Sequence, residues 1–434
     1  MHPHCLTRSN SLDRTRSDPR QRIMIGAAGL FSSHQVMVRS PESAVRVSPI
    51  TVEIGLEHYG SLVQSDFRRP QRRTRRKGQK VADGLLSVEK IYHEPAVEGY
   101  ERGREILARF PHARRVEVHS HWNIPQLHGD LGNVADWSGT KKSVLVLGTK
   151  KDVSCRPFYR SCDFIAPSQS NGCAMACSYC YVARRKGNAN PITTFVNIEE
   201  IVTSIERHAA RQGMKLEETQ ADSVLWVYEL GTNSDLSVDA AVCDNVRDLV
   251  ALFRTLPNAK ATFATKFVNR KLLDYDPQGR TRVRFSLMPP EISKLVDVRT
   301  SKVEDRILAI NDFVEAGYEV NVNFGPVILK DGWRRDYAGL FARLDGTLSE
   351  KAKRQLAAEI IFLTHSDRLH DVNLRWHPRG EEILWRPDLQ EHKVSQASGE
   401  QVLRYKKDLK RPLVAEFKAL LNGLMPYCRV RYAF

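Results

Sequence analysis

Three cysteines fall in the run Gly172-Cys173-Ala174-Met175-Ala176-Cys177-Ser178-Tyr179-Cys180-Tyr181, and their CxxxCxxC spacing constrains this chain more than any other feature. A [4Fe-4S] cluster normally takes four thiolates. Three close cysteines with no obvious fourth leave one iron open to an exogenous ligand, and S-adenosylmethionine is the leading candidate. A cluster ligated in that way is a source of carbon-centred radicals, which the protein must orient and protect. A structural zinc is the rival reading, but it wants a fourth local Cys or His. The nearest downstream histidine, His208, sits inside a helical pattern and is poorly placed. Tyr179 and Tyr181 bracket the third cysteine, either as shields against water or as participants in redox chemistry.

At 434 residues the chain is long enough for about three domains, although α/β barrels often exceed that unit size as one domain. No uninterrupted stretch of about 18 apolar residues occurs, so no membrane span is expected. Residues 1–22 are polar and rich in Arg and Ser, unlike a secretory signal. Eight cysteines are too sparse for a disulfide framework at this length, which favours reduced thiols, metal ligation and a cytoplasmic location. Of the net charge of +15, residues 1–87 carry +8 (15 Lys or Arg against 7 Asp or Glu) and the remainder +7. Such an excess favours polyanionic partners through counterion release, and solubilising surface charge explains it equally well.

Residues 1–84 lack sustained apolar periodicity and end near Arg68-Arg69-Pro70-Gln71-Arg72-Arg73-Thr74-Arg75-Arg76-Lys77, which reads as a disordered basic arm. Residues 85–160 read as a small α/β domain, with strands at 87–92, 116–118 and 142–147 around a helix at 98–110. From 161 to 434, short apolar strands at 163–167, 224–228, 261–265, 282–287 and 320–324 alternate with helical patterns at 198–210, 240–256 and 304–316. That alternation predicts βαβ units in a parallel sheet. The expected architecture is an open α/β barrel with its site at the carboxyl ends of the strands, closed by a C-terminal hairpin or strand around Tyr427 to Tyr432.

In chain order stand Ile91-Tyr92-His93-Glu94-Pro95, the run 142–148, the cysteine run, Tyr228-Glu229 with Ser234-Asp235, Ala264-Thr265-Lys266-Phe267, the run 279–286, and Ala316-Gly317-Tyr318 leading to Gly332-Trp333. On these blocks the chain resembles the radical S-adenosylmethionine superfamily and, more narrowly, the spore photoproduct lyase family. The resemblance covers about residues 88–434 and implies a partial (β/α)6 TIM-like barrel. It also implies Cys173, Cys177 and Cys180 as ligands of a [4Fe-4S] cluster, and S-adenosyl-L-methionine contacts from Ser234, Lys266, Ser286 and Gly325, with Pro326 beside the adenosyl group. The implied reaction starts when a 5'-deoxyadenosyl radical abstracts hydrogen from a thymine dimer of spore photoproduct type in DNA. An external electron donor of flavodoxin or ferredoxin class is implied as well.

One position departs from the family. Where the lyases carry a hydrogen-returning cysteine, this chain has Thr232 in Tyr228-Glu229-Leu230-Gly231-Thr232-Asn233-Ser234-Asp235. An alcohol O–H bond is too strong to take over the role of a thiol, so either the substrate differs or hydrogen returns from Tyr179, Tyr181 or an external donor. Cys243 reads as a small buried apolar residue. Arg375, Trp376, Trp385, Arg386, Arg404, Tyr405, Lys406 and Lys407 form a candidate groove for a flipped-out lesion, with solvated helix faces and core tryptophans as the plainer reading. Two alternatives stay open: a nucleic-acid-binding iron-sulfur protein without radical turnover, and a radical enzyme acting on a substrate other than DNA.

Overall fold

The computed structural model describes residues 84–128, 137–180, 189–394 and 401–434. The predicted basic arm lies outside them. Two main sheets organise the described chain, and both are built mostly from parallel strands.

The smaller sheet contains Lys90–His93 (β1), Arg114–Glu117 (β2) and Val144–Gly148 (β3). Arg156–Pro157 (β4) and Phe164–Ile165 (β5) leave it for the barrel, and Ser170–Asn171 (β6) and Ile192–Phe195 (β7) return to it. Its order is β2-β1-β3-β7-β6. The run Val144-Leu145-Val146-Leu147-Gly148 is buried throughout, as expected of a central parallel strand covered on both faces. Because β6 and β7 flank the cysteine loop in sequence, the expected boundary at residue 160 cuts across this sheet: one edge of the small domain is contributed by the chain on either side of the loop.

The larger sheet adds Trp226–Glu229 (β8), Ala259–Thr265 (β9), Thr281–Leu287 (β10), Glu319–Val327 (β11) and Ala357–Phe362 (β12). Thr364–His365 (β13), Gln390–Val394 (β14) and Gln401–Tyr405 (β15) form a separate antiparallel sheet, and Arg429–Ala433 (β16) ends the chain. The order β16-β12-β11-β10-β9-β8-β5-β4 makes every pairing parallel except that of β4. The terminal segment is therefore a parallel strand beside β12, not a hairpin; β14 and β15 pair antiparallel in a sheet apart from it. An alternating sequence specifies which side chains share a face, but not the direction of the neighbouring strand.

β10 shows how the sequence makes the barrel. In Thr281-Arg282-Val283-Arg284-Phe285-Ser286-Leu287 the apolar residues at period two join the core beneath the outer helices, including Asn245–Thr255 and Val303–Glu315. The polar residues face inward and meet polar residues of other strands. Arg282 donates to Glu319 at 2.6 Å, and Lys260 pairs with Glu319 and Asp222, each at 2.7 Å. One layer higher, Arg284 bridges Glu229 of β8 and Glu359 of β12, the latter at 2.7 Å. Burial and the neighbouring Glu359 charge push Glu229 up to about 7 against the pull of Arg284, whose own charge the two carboxylates hold in place. Arg431 of β16 donates to the Ser161 carbonyl at 2.7 Å, tying the two edges of the curled sheet together. The result is a partial TIM-like barrel with a charged interior.

The predicted helix at 240–256 begins later than expected: Leu236–Asp239 is a short helix of its own, and after a turn at 240–244 Asn245–Thr255 forms the longer one. Asp235 caps the first, its carboxylate accepting from the Ser237 and Val238 amides. Among the described residues no helix is long and apolar enough to cross a membrane.

Candidate active site

The cysteine loop starts where β6 ends. Gly172 has φ +84°, and a Cβ there would stand 2.4 Å from the Pro191 carbonyl oxygen, so only glycine fits. Its amide donates to the Asn233 carbonyl at 2.9 Å, which joins the loop to the turn after β8. Lys141, fully buried, donates to the Cys173 carbonyl at 2.7 Å. The Ala176 and Ser178 amides reach the Val298 and Val296 carbonyls at 3.0 and 2.9 Å, and Asn373 donates to the Ser178 carbonyl at 2.8 Å. The loop is thus held from four directions.

Cys173 and Cys177 are buried and Cys180 is half-buried, all within one apolar cluster. Burial pushes the Cys173 and Cys177 thiols well up, and both feel the charge of Cys180. The Met175 amide lies 3.4 Å from the Cys173 sulfur as a donor. Among the described residues no three Cys, His, Asp or Glu side chains converge on a single-ion position, as a mononuclear zinc would need. Thiols that share surroundings without meeting at one point suit a cluster, in which each ligand takes its own iron.

Tyr179 donates its hydroxyl to Asp297, which accepts from Arg306 at 2.8 Å. Both members of that ion pair are fully buried. Burial pushes the Tyr179 phenol well up, and Asp297 adds to it. Lys266, at the carboxyl end of β9, stands 5.4 Å from the centre of the Tyr179 ring, and its charge acts on Cys177, Asp297 and Asp235. The Lys266 amide donates to Asp235 at 3.1 Å. Ser286 is buried on β10, where its carbonyl accepts from Arg306 at 2.7 Å. Cysteine loop, Tyr179, Lys266 and Ser286 are therefore linked through the Asp297–Arg306 pair. Tyr181 lies outside the described residues.

Ser234 donates to Asp239 at 2.6 Å, and Gln169 donates to the same carboxylate oxygen at 2.5 Å. Burial pushes Asp239 up to about 7, and its other oxygen has no partner. Gly325, followed by a cis peptide to Pro326, sits on β11; a Cβ there would be 2.6 Å from the Asn323 amide oxygen. That oxygen is buried and also unpartnered. The Thr232 hydroxyl oxygen, on the turn after β8, is a third buried atom without a hydrogen bond. A native interior satisfies nearly all of its polar atoms, and these three stand on segments at or just beyond strands β8 and β11.

The proposed C-terminal groove is only partly assembled. Trp376 stacks on Trp137 at 4.4 Å and Trp385 on His370 at 3.9 Å. Tyr405 is buried, accepting from the Leu329 amide at 2.9 Å, and Arg386 pairs with Asp388. Arg375 and Lys407 are exposed. Lys406 is tied to the Asp388 carbonyl at 2.7 Å, while Arg404 lies over the Phe434 ring. Sequence reasoning missed the partners that hold the site. The Asp235 cap was legible as a Ser-Asp pair before Leu236, whereas nothing local marks Asp297, Arg306 or Lys141.

Comparison with known proteins bears on the fold and the family. Spore photoproduct lyases from Bacillus subtilis (strain 168) and Geobacillus sp. (strain Y412MC61) are 26% and 23% identical over 274 residues, 62% of this chain and 77% of each of theirs. A spore photoproduct lyase mutant solved with AdoMet and dinucleoside spore photoproduct superposes with a TM-score of 0.71 at 20% identity, covering 81% of this chain and all of that one. A second, complexed with dinucleoside spore photoproduct, gives 0.71 at 21% identity over the same shares. The family model for spore photoproduct lyase matches residues 86–434, from the segment leading into β1 to the last residue, and the chain belongs to that family.

Proposed function

We propose that this chain is a radical S-adenosylmethionine lyase acting in DNA on a thymine-dimer lesion of spore photoproduct type or a related pyrimidine lesion. The observation that carries the reading is a buried three-cysteine loop at the carboxyl ends of the barrel strands, with Lys266 reaching to its edge. Cys173, Cys177 and Cys180 would hold a [4Fe-4S] cluster with one open iron, and their buried thiols would ligate by giving up their protons to the metal. Ser234, Lys266, Ser286 and Gly325 would line the S-adenosylmethionine side. The unmet oxygens of Asn323 and Asp239 suit donors on that cofactor. When bound there and given an electron from a flavodoxin or ferredoxin class donor, the cluster and S-adenosylmethionine would supply radical chemistry for hydrogen abstraction.

The chain's own residues then shape the outcome. Gly325 keeps the mouth open where any side chain would strike Asn323. Arg306 and Asp297 fix Tyr179 between two cluster ligands. Thr232 faces the substrate side with a hydroxyl that cannot return hydrogen as a thiol would, which leaves that step to Tyr179, Tyr181 or an external donor. The cytoplasm, with its reducing thiol pool, is the compartment this chemistry suits.

The test is anaerobic cluster loading, dithionite reduction, and incubation with S-adenosylmethionine and DNA carrying spore photoproduct. Rising 5'-deoxyadenosine and thymine together support the proposal. 5'-Deoxyadenosine without thymine places the substrate elsewhere, and neither product from cluster-loaded protein favours an iron-sulfur protein that binds nucleic acid without turnover.

A further inference from the structure

A cavity of about 250 Å³ opens beside the cysteine loop, lined by Trp122, Lys150, Arg156, Ser168, Asn171, Phe195 and Asn233. Asn171 immediately precedes Gly172 and Asn233 immediately follows Thr232, so the cavity borders both the cysteine loop and the turn on the substrate side. Lys150 is half-buried, with its ammonium over the Phe195 ring at 5.6 Å. Neither Lys150 nor Arg156 has a carboxylate within ion-pair distance among the described residues. The nearest acid, Asp152, accepts instead from the Ser154 hydroxyl at 2.5 Å and from its amide at 3.0 Å. Burial lowers Lys150, opposed by Asp152, and the charge of Arg156 adds to the lowering. Two cations that repel each other in a partly dry cavity are relieved by an anion. Trp122 is 55% exposed at the same cavity, a flat apolar face of the kind on which nucleic-acid bases stack. Ser168, Asn171 and Asn233 add hydroxyl and amide groups able to meet a base edge or a sugar.

We propose that this cavity seats a nucleotide flanking the lesion, its phosphodiester held by Lys150 and Arg156 and its base stacked on Trp122. The inference rests on the reading of the chain as an enzyme acting on DNA. It assigns that reading a contact region beside the cysteine loop, in addition to the C-terminal residues named above.

The experiment is binding of a duplex oligonucleotide carrying spore photoproduct to the cluster-loaded full chain across a sodium chloride series. Each phosphate neutralised contributes about 0.9 to the slope of log affinity against log salt, and the two cations share one phosphodiester, so K150Q/R156Q is expected to flatten the slope by about 0.9. R156Q alone, at an exposed side chain, is expected to flatten it by part of that amount and guards against a folding defect in the double variant. K351Q, on a lysine paired with Glu315 in another part of the fold, is expected to leave the slope unchanged. W122A is expected to weaken binding by about fivefold to more than a hundredfold with the slope unaltered. An unchanged slope in both Lys150 and Arg156 variants overturns the proposal. So does wild-type binding of inorganic phosphate or a free mononucleotide that the double variant loses while its DNA slope stays the same, since that marks a small-ligand site. Absence of 5'-deoxyadenosine from the wild type would defeat the lyase reading and leave the slope result standing, so the two failures are distinguishable.

Discussion

Replacing Asp297 with alanine probes the support of the cysteine loop most sharply. Asp297 and Arg306 are both fully buried, 2.8 Å apart. Burial opposes the Asp297 charge, but Arg306 and then Lys266 more than offset it and hold the carboxyl below its ordinary range. Without Asp297, Arg306 keeps hydrogen bonds to the Ser286 carbonyl at 2.7 Å and the Ser301 carbonyl at 2.9 Å but has no counter-charge. Breaking a buried pair on one side costs about 3–5 kcal/mol, a large part of the roughly 5–15 kcal/mol that holds a domain folded. Y179F removes one hydrogen bond to the same carboxylate and leaves the pair intact, so about 1.5–3 kcal/mol is expected. The assay is equilibrium urea unfolding of the cluster-free protein, with iron content after reconstitution as a second readout. D297A should lower the midpoint far more than Y179F and bind less iron. D297N/R306M, which removes both charges, should cost less than the sum of the single changes, because no uncompensated ion remains. A D297A protein within about 1 kcal/mol of wild type would refute the view that this pair anchors the loop.

Other consequences are equally concrete. T232C should leave stability within about 1 kcal/mol of wild type, since the Thr232 hydroxyl oxygen makes no hydrogen bond to lose; thymine released per 5'-deoxyadenosine should rise if a thiol is what the site lacks, and an unchanged ratio would count against it. R284M should destabilise by about 3–5 kcal/mol in urea titration, because Glu229 and Glu359 would lose their shared cation. Burial works against the Asp222 carboxylate, yet Lys260 and the Leu225 and Val224 amides bring it down to about 2 from 3.8. A depressed folded-state value stabilises above the unfolded value and is lost as pH falls from about 4 through 2, so acid titration of wild type against D222N should show about 2 kcal/mol of pH-dependent stability missing from the variant. G325A should abolish the S-adenosylmethionine perturbation of the cluster spectrum while the protein still folds, because the new methyl meets Asn323 before it meets any backbone.

Much of the fold was legible because the barrel strands announce themselves by period two. In β10, alternation of Arg282, Arg284 and Ser286 with Val283, Phe285 and Leu287 predicts the strand and, in the structure, separates interior from helix-facing sides. β12, Ala357-Ala358-Glu359-Ile360-Ile361-Phe362, was missed: it follows a short helix with no Gly or Pro between them, and its single inward Glu359 hides the pattern. β7 was missed because its parallel partner is β3, in a sheet begun before the cysteine loop, and that long-range pairing makes Ile192-Thr193-Thr194-Phe195 a strand. The predicted helix at 240–256 forms only from Asn245, because an apolar stripe fixes which face of a helix is buried but not where its first turn begins. In the site, the cysteines were legible from spacing alone, and Lys266 through the family resemblance. The residues that position them were not, since Asp297 and Arg306 meet Tyr179 across about 120 residues of chain and owe their place to burial rather than to local sequence.

The most direct measurement of the central claim is the electron paramagnetic resonance spectrum of the dithionite-reduced, cluster-loaded chain before and after addition of S-adenosylmethionine. A three-cysteine cluster with an open iron predicts a reduced [4Fe-4S] signal that changes when the cofactor is added, and loss of that signal when Cys173, Cys177 or Cys180 is replaced by alanine. A signal indifferent to S-adenosylmethionine, or one that survives the loss of any of these cysteines, would contradict it.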